Sequence, residues 1–207
     1  MRKQQPNAPL RIRRLRRTEL PIDTIALARY LIGKTLVHDL SRVRLAGRIV
    51  ETEAYPIGDA AAHAFGGLTP SRRSLFLPHG HAYVYFTYGS CFMMNVSSET
   101  EGVGAGVLVR AVEPIEGIRF MQRRRGTTRL LDLARGPGRL AQAMDINKRY
   151  DGLNLCAGGK LWLGAAVRPT SPIGATIRIG ITRDVHRLCR FYERGSPFVS
   201  GPKRLRE

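Results

Sequence analysis

The sequence predicts a single α+β domain: a curved antiparallel β-sheet with peripheral helices and a protruding β-hairpin. Three observations predict it. A strand-rich middle, punctuated by Gly and Pro turn signals, separates a helical stretch near residue 25 from others beyond residue 114. No internal repeat and no linker divides the 207 residues. Their 43% apolar content suits one core of that size.

Each element has a local reason. Residues 1–17 carry Arg2, Lys3, Arg11, Arg13, Arg14, Arg16 and Arg17 around Pro6, Asn7 and Pro9. That composition reads as a mobile basic arm, with the folded domain spanning 18–207. The arm either adds phosphate contacts or is simply solvated, and the residues leave both open. With Asp23 or Thr24 as N-cap, Ile25, Leu27, Ala28, Leu31 and Ile32 follow helical spacing until Gly33 stops the helix. Residues 35–38 and 43–55 have β character, and 72–78 extend the strand-rich region to a turn at His79-Gly80. Residues 82–88 and 91–97 form a hairpin across Gly89-Ser90, where Gly at the first turn position suits a type II′ turn. Another strand covers 106–112. Pro114 then opens a helix to about Arg125, and Arg123, Arg124 and Arg125 favour its C-terminus. Residues 134–152 read as loop, short helix, loop, with a helix start after Gly136 suited to a phosphate. Strands at 161–163 and 175–182 and a turn at 194–197 complete the chain.

Charge narrows the function. Thirty-four Lys+Arg against sixteen Asp+Glu leave +18, which favours a polyanionic partner, most commonly nucleic acid. The plain alternative is a basic solvated surface. No apolar run reaches the roughly 18 residues of a membrane span, no secretory signal is evident, and no basic amphipathic stretch suits a membrane surface. Cys91, Cys156 and Cys189 are odd in number and widely spaced, which argues for a reducing compartment and against a disulfide framework or zinc site. His79 and His81 lack a neighbouring carboxylate or thiol to complete a metal set, so neither metal nor cofactor is expected. Phosphate-loop, dinucleotide, zincin and nucleophile-elbow motifs are absent.

Candidate chemistry lies on the strands. Alternation along 47–55 puts Ile49, Glu51, Glu53 and Tyr55 on one face, opposite Val50, Thr52 and Ala54. That face is either solvated or lines a cleft where a carboxylate works, and the pattern alone favours solvation. Tyr83, Tyr85 and Thr87 share one hairpin face, and Val84, Phe86 and Tyr88 the other. A tip aromatic such as Tyr88 is a candidate wedge between base pairs, or packs on its own hairpin. His63 with two tyrosines could form a stacking pocket, although a lone His is more often structural. Leu108 and Arg110 share a face, and Arg110 has Glu51 or Glu53 as candidate partners. Such a pair would hold a carboxylate ionised, as a general base requires.

Eight segments, in one order from about residue 18 to 200, resemble the alkyladenine or 3-methyladenine DNA glycosylase family. They are ETEAY (51–55), AAH (61–63), HAYVYFTYG (81–89), MNVSS (94–98), VLVRAVEP (107–114), ARGPGRL (134–140), INK (146–148) and FYERGSPFVS (191–200). The resemblance implies an enzyme that flips alkylated or deaminated purines from duplex DNA and hydrolyses the N-glycosidic bond. The substrates it implies are 3-methyladenine, 7-methylguanine, hypoxanthine and ethenoadenine. In that reading Glu53 deprotonates the attacking water, while Arg110 and the backbone of Ile179 in a strand at 178–181 help hold it. Tyr55, His63 and Tyr85 stack the base, Leu108 joins the pocket, and Asn95 polices the purine edge. Tyr88 intercalates, and Thr69, Arg72 and Lys148 belong to the DNA-contacting set. Phe198 stands where the family pattern has Trp. The resemblance also implies a monomer acting on double-stranded DNA with damaged purines, in bacterial cytoplasm or a eukaryotic nucleus. The competing reading is a non-catalytic nucleic-acid-binding protein, which leaves Glu51, Glu53 and Arg110 unexplained.

Overall fold

The computed structural model describes residues 10–87 and 89–205, with the backbone alone at Arg204. Helix α1 (Thr24–Leu31) begins after Asp23, whose carboxylate accepts the Ala26 amide at 2.7 Å, and ends before Gly33 at φ +85°. Thr24, Leu27, Ala28 and Leu31 form its buried stripe. Strands β1 (Thr35–Asp39), β2 (Arg44–Tyr55), β3 (Ala82–Thr87), β4 (Cys91–Ser97) and β5 (Gly106–Glu116) follow. Helices α2 (Ile118–Arg125) and α3 (Pro137–Ala143) precede strands β6 (Leu161–Gly164), β7 (Ile173–Thr176) and β8 (Arg190–Glu193). All pairings are antiparallel, in the order β3-β4-β5-β2-β1-β6, with β8 also on β2 and β7 on β8.

Strand β2 organises the sheet. One edge runs along β5; the other pairs with β1 over residues 44–48 and with β8 over 51–53. Where the partner changes, the register against β5 shifts between Ile49 and Glu51 and again between Glu51 and Thr52. Bulges of this kind bend a strand and sharpen its twist, which curls the sheet. Leu45, Ile49 and Ala54 join the main core with residues of all three helices, whereas Val50 joins Ala111, Tyr192, Phe198 and Val199 on the opposite face. Strict alternation therefore fails at Ile49, which parts from Glu51, Glu53 and Tyr55. Phe198, in the position of the family's Trp, is buried in that second cluster.

The predicted α+β domain with a curled antiparallel sheet is the observed one, with several local corrections. Pro114 lies within β5 opposite Gly47, next to a register shift, where a missing N–H is tolerated; Gly117 at φ +74° then turns the chain into α2. The stretch expected to extend the strands at 72–78 holds a 3₁₀ turn, Arg73–Phe76. Only Ala175 and Thr176 of the last expected strand are extended, at the end of β7, so the 178–181 strand is a loop, and β8 is an additional strand. The hairpin closes at the pair Thr87 and Cys91, with the Ser90 amide donating to Thr87 O and Gly89 at φ +61°. Gly89 thus sits third in the turn, not at the first position of a two-residue loop. Residues 1–9 of the basic arm lie outside the described residues. Within 10–17, Leu15 is 1% exposed and donates to Leu163 O at 2.9 Å, and Arg14 lies over the Trp162 ring. This part of the arm is packed against β6, because one leucine and a cation–π contact give it something to bury.

Beyond the β2 switch point, β8 is tied down by charge. Arg48 is fully buried and paired in bidentate fashion with Glu193, itself 2% exposed. Removing Glu193 leaves the buried guanidinium with only the more distant Glu113, 3.8 Å away, among the described residues. Glu193→Ala should therefore lower unfolding free energy by about 3–5 kcal/mol in urea titration, with Arg48→Met/Glu193→Leu recovering most of it. A loss below about 1 kcal/mol for Glu193→Ala would place the pair among ordinary surface salt bridges.

Candidate active site

Register assembles the site. Tyr83 pairs with Asn95, Asn95 with Leu108, and Leu108 with Glu53, so one row crosses β3, β4, β5 and β2. Opposed residues share a sheet face. Two residues along β3 and β5, and two in either direction along β2, Tyr85, Arg110, Tyr55 and Glu51 extend that face. Tyr55, Tyr83, Tyr85, Asn95, Leu108 and Arg110 line a cleft of about 360 Å³. The loop after β2 contributes His63, and the loop after β7 contributes 179–183. A cleft of this volume lies within the range of small-molecule sites.

Both glutamates beneath the cleft are fully buried, so the solvated-face expectation fails. They differ in their partners. Glu51 accepts from Arg110 Nε at 2.9 Å, Arg190 Nε at 2.7 Å, the Ser200 amide at 2.6 Å and the Ser200 hydroxyl at 2.9 Å. Burial alone would raise its pKa, but the two guanidiniums and the Ser200 amide together hold it below the ordinary carboxylate value. Glu53 accepts the Ile179 amide at 2.8 Å and the Tyr55 hydroxyl at 2.9 Å, and Arg110 Nη1 lies 3.2 Å away. Here burial wins over Arg110, the Ile179 amide and Tyr55, and the Glu53 pKa is raised. Arg110 thus bridges both carboxylates, where the sequence offered them as alternatives.

The aromatic walls are fixed by stacking. Tyr83 and Tyr85 stack at 5.2 Å between centroids, and His63 packs on Tyr85 at 4.3 Å. His63 Nδ1 lies 2.9 Å from the Tyr83 hydroxyl. Although His63 keeps an exposed side, burial of the rest of the ring and then the Arg72 charge lower its pKa, favouring neutral imidazole. Burial also pushes the Tyr83 phenol up to about 12. Asn95 is 7% exposed, and its Nδ2 donates to Tyr83 O at 3.4 Å, which orients the amide.

The fold therefore brings Glu53, Tyr55, His63, Tyr85, Asn95, Leu108, Arg110 and Ile179 to one place. Tyr88 lies outside the described residues. Arg72 stands near the rim, close enough to shift His63 and Tyr83, whereas Thr69 sits in the exposed loop with its hydroxyl 3.1 Å from Ser71 Oγ. Lys148 donates to Val84 O at 3.0 Å and pairs with Asp151 at 2.8 Å, bracing β3 while half its side chain remains exposed. Sequence reasoning missed Tyr83 as a wall, Arg190 and Ser200 as the partners of Glu51, and the Asp59–Arg178 pair behind Tyr55. Tyr83 was legible, since it alternates with Tyr85. The others join distant segments and leave no periodic trace.

A family profile, methylpurine-DNA glycosylase, matches residues 18–197. The chain belongs to the methylpurine-DNA glycosylase family. These are DNA repair enzymes, and the match covers every described residue of the cleft. A protein of Mesorhizobium japonicum named "Putative 3-methyladenine DNA glycosylase" is 61% identical over 191 residues, covering 92% of each chain. One of the same name from Paraburkholderia phytofirmans is 53% identical, covering 99% of this chain and 94% of its own. A third, from Chlorobaculum tepidum, is 46% identical over 86% of both.

Within this glycosylase fold the two carboxylates should separate by stability. Glu51→Gln removes the carboxylate paired with Arg190, which is fully buried, and should cost about 3–5 kcal/mol in urea unfolding. Glu53→Gln should cost less, because Arg110 keeps Glu51 and the buried Glu53 charge is itself unfavourable. The reverse order would contradict the division of partners.

Proposed function

We propose that this protein is a monofunctional DNA glycosylase that everts alkylated or deaminated purines from duplex DNA and hydrolyses their N-glycosidic bond. Hypoxanthine, ethenoadenine, 3-methyladenine and 7-methylguanine are the substrates in this reading. The observation that carries it is the lone-pair count at Glu53. An ionised carboxylate offers about four acceptor sites. Among the described residues, the Ile179 amide and the Tyr55 hydroxyl take one each and the Arg110 guanidinium faces a third at 3.2 Å, and all three residues line the cleft. One site is left for a water entering from that side.

The chemistry follows from that arrangement of donors. Glu53 takes a proton from the water, whose oxygen bonds to the anomeric carbon as the bond to the purine nitrogen breaks and its electrons leave with the base. The carboxylate also stabilises the oxocarbenium-like sugar. A cationic alkylated purine leaves readily, whereas a neutral base needs protonation on departure. Stacking against Tyr55, His63 and Tyr85 returns roughly 1–3 kcal/mol per base, comparable to the cost of eversion. A cationic base adds about 0.5–2 kcal/mol from the ring quadrupoles. Tyr88 fills the gap in the duplex, and the oriented Asn95 amide rejects the exocyclic amine of guanine. No lysine lines the cleft among the described residues, which supports hydrolysis without a Schiff base or strand cleavage. A charge of +18 supports duplex DNA as the partner.

The test is single-turnover release of hypoxanthine or ethenoadenine from a duplex oligonucleotide, read as an alkali-dependent cut at the lesion. Glu53→Gln should bind the lesion duplex yet lose about 10²–10⁴-fold in rate. The base must be ionised, so wild-type activity should fall with acid through a midpoint above the ordinary glutamate value. Retained excision by Glu53→Gln, or a borohydride-trapped adduct with a nicked product, would overturn the reading.

A further inference from the structure

The Asp59–Arg178 pair lies behind the cleft wall, outside the roles given above. Arg178 is 4% exposed and lies against Tyr55, its guanidinium carbon 4.6 Å from the ring centroid. Its Nη1 donates to Ala54 O at 3.0 Å and sits 2.6 Å from Asp59 Oδ2, and its Nη2 reaches Asp59 Oδ1 at 3.0 Å. Asp59 is fully buried, accepts the Ala61 amide at 2.9 Å, and has Arg187 3.4 Å away. The guanidinium thus joins the end of β2, the loop after it and the loop after β7.

Its neighbours give the arrangement meaning. The ring that Arg178 covers belongs to Tyr55, whose hydroxyl donates to Glu53 Oε2. The next residue along the chain is Ile179, whose amide donates to Glu53 Oε1. Among the described partners of Glu53, Arg110 is held from another side, by Glu51. We propose that Arg178, fixed by Asp59, is a positioning residue that holds Tyr55 and Ile179 against Glu53 and so keeps that carboxylate ionised. The inference rests on the reading of Glu53 as the base.

A planar guanidinium is needed for this task. It presents a flat face to the ring while its edges donate to Ala54 O and Asp59. An ammonium keeps a charge for Asp59 but lacks the face and the fork. Losing the Ile179 and Tyr55 donors leaves burial and Glu51 opposing ionisation of Glu53, with Arg110 alone favouring it. Arg190, on β8, is spent on Glu51, Ser200 O and Leu205 O.

The experiment is single-turnover excision of hypoxanthine as a function of pH, for the wild type, Arg178→Met, Arg178→Lys and Glu53→Gln. In Arg178→Met the acid limb should move up by about one pH unit, with the rate partly restored at alkaline pH. Arg178→Lys should move it in the same direction by less. A residue that only stabilised the loops would lower the active fraction and leave the midpoint in place. If Arg178→Met does not fold or is inactive at every pH, Arg178→Lys decides. Limbs coincident with the wild type, while Glu53→Gln is inactive, would overturn this inference alone. Activity in Glu53→Gln would defeat the underlying reading.

Discussion

Arg110 holds two carboxylates that could not otherwise share a buried sheet face. Glu51 and Glu53 are fully buried and lie on one side of β2, and the guanidinium reaches Glu51 at 2.9 Å and Glu53 at 3.2 Å. Without it, Glu53 would face the like charge of Glu51 in a buried site with only neutral donors of its own. The arrangement also divides labour. Glu51 takes a second guanidinium and both donors of Ser200, and becomes a structural post. Glu53 receives weaker support, from the Ile179 amide, the Tyr55 hydroxyl and Arg110, and has its pKa raised. Pairs of titratable groups whose surroundings push them apart mark where acid–base work is done.

The backbone supplies this asymmetry. Because β2 exchanges β1 for β8 at residues 49–51, its register slips and the strand bends. One side of the bend faces the helices; the other carries Arg190 and the Ser200 turn to Glu51. A regular strand would have left Ile49 beside the glutamates and sent Val50 to the main core. The same curl brings the 179–183 loop over the end of β2, where it supplies the amide to Glu53.

Much of this was legible in the residues, and what was not has physical causes. Helix α1 and the β3–β4 hairpin could be read because one face of each is apolar at the right period, with Asp23, Gly33 and Gly89 marking their ends. The shared face of Tyr83 and Tyr85 followed from alternation. The bulge in β2 carries no turn residue and so was invisible. Strand β8 was missed because Arg190 and Glu193 look like solvent-facing residues, yet both are buried against Glu51 and Arg48. Pro114 suggested a helix start, but it occupies a register irregularity in a strand. Residues 178–182 alternate like a strand, although Gly180 at φ +77° and an amide committed to Glu53 make them a loop. The identity of the cleft residues came through resemblance; their mutual contacts came only from the fold.

The division between the two glutamates is open to direct observation. Carboxyl carbon NMR on glutamate-labelled protein, with signals assigned by Glu51→Gln and Glu53→Gln, follows each titration separately. Glu53 should titrate above the ordinary glutamate value and Glu51 below it. Coincident titrations, or the opposite order, would contradict the claim that one arginine makes a support of the first carboxylate and leaves the second reactive.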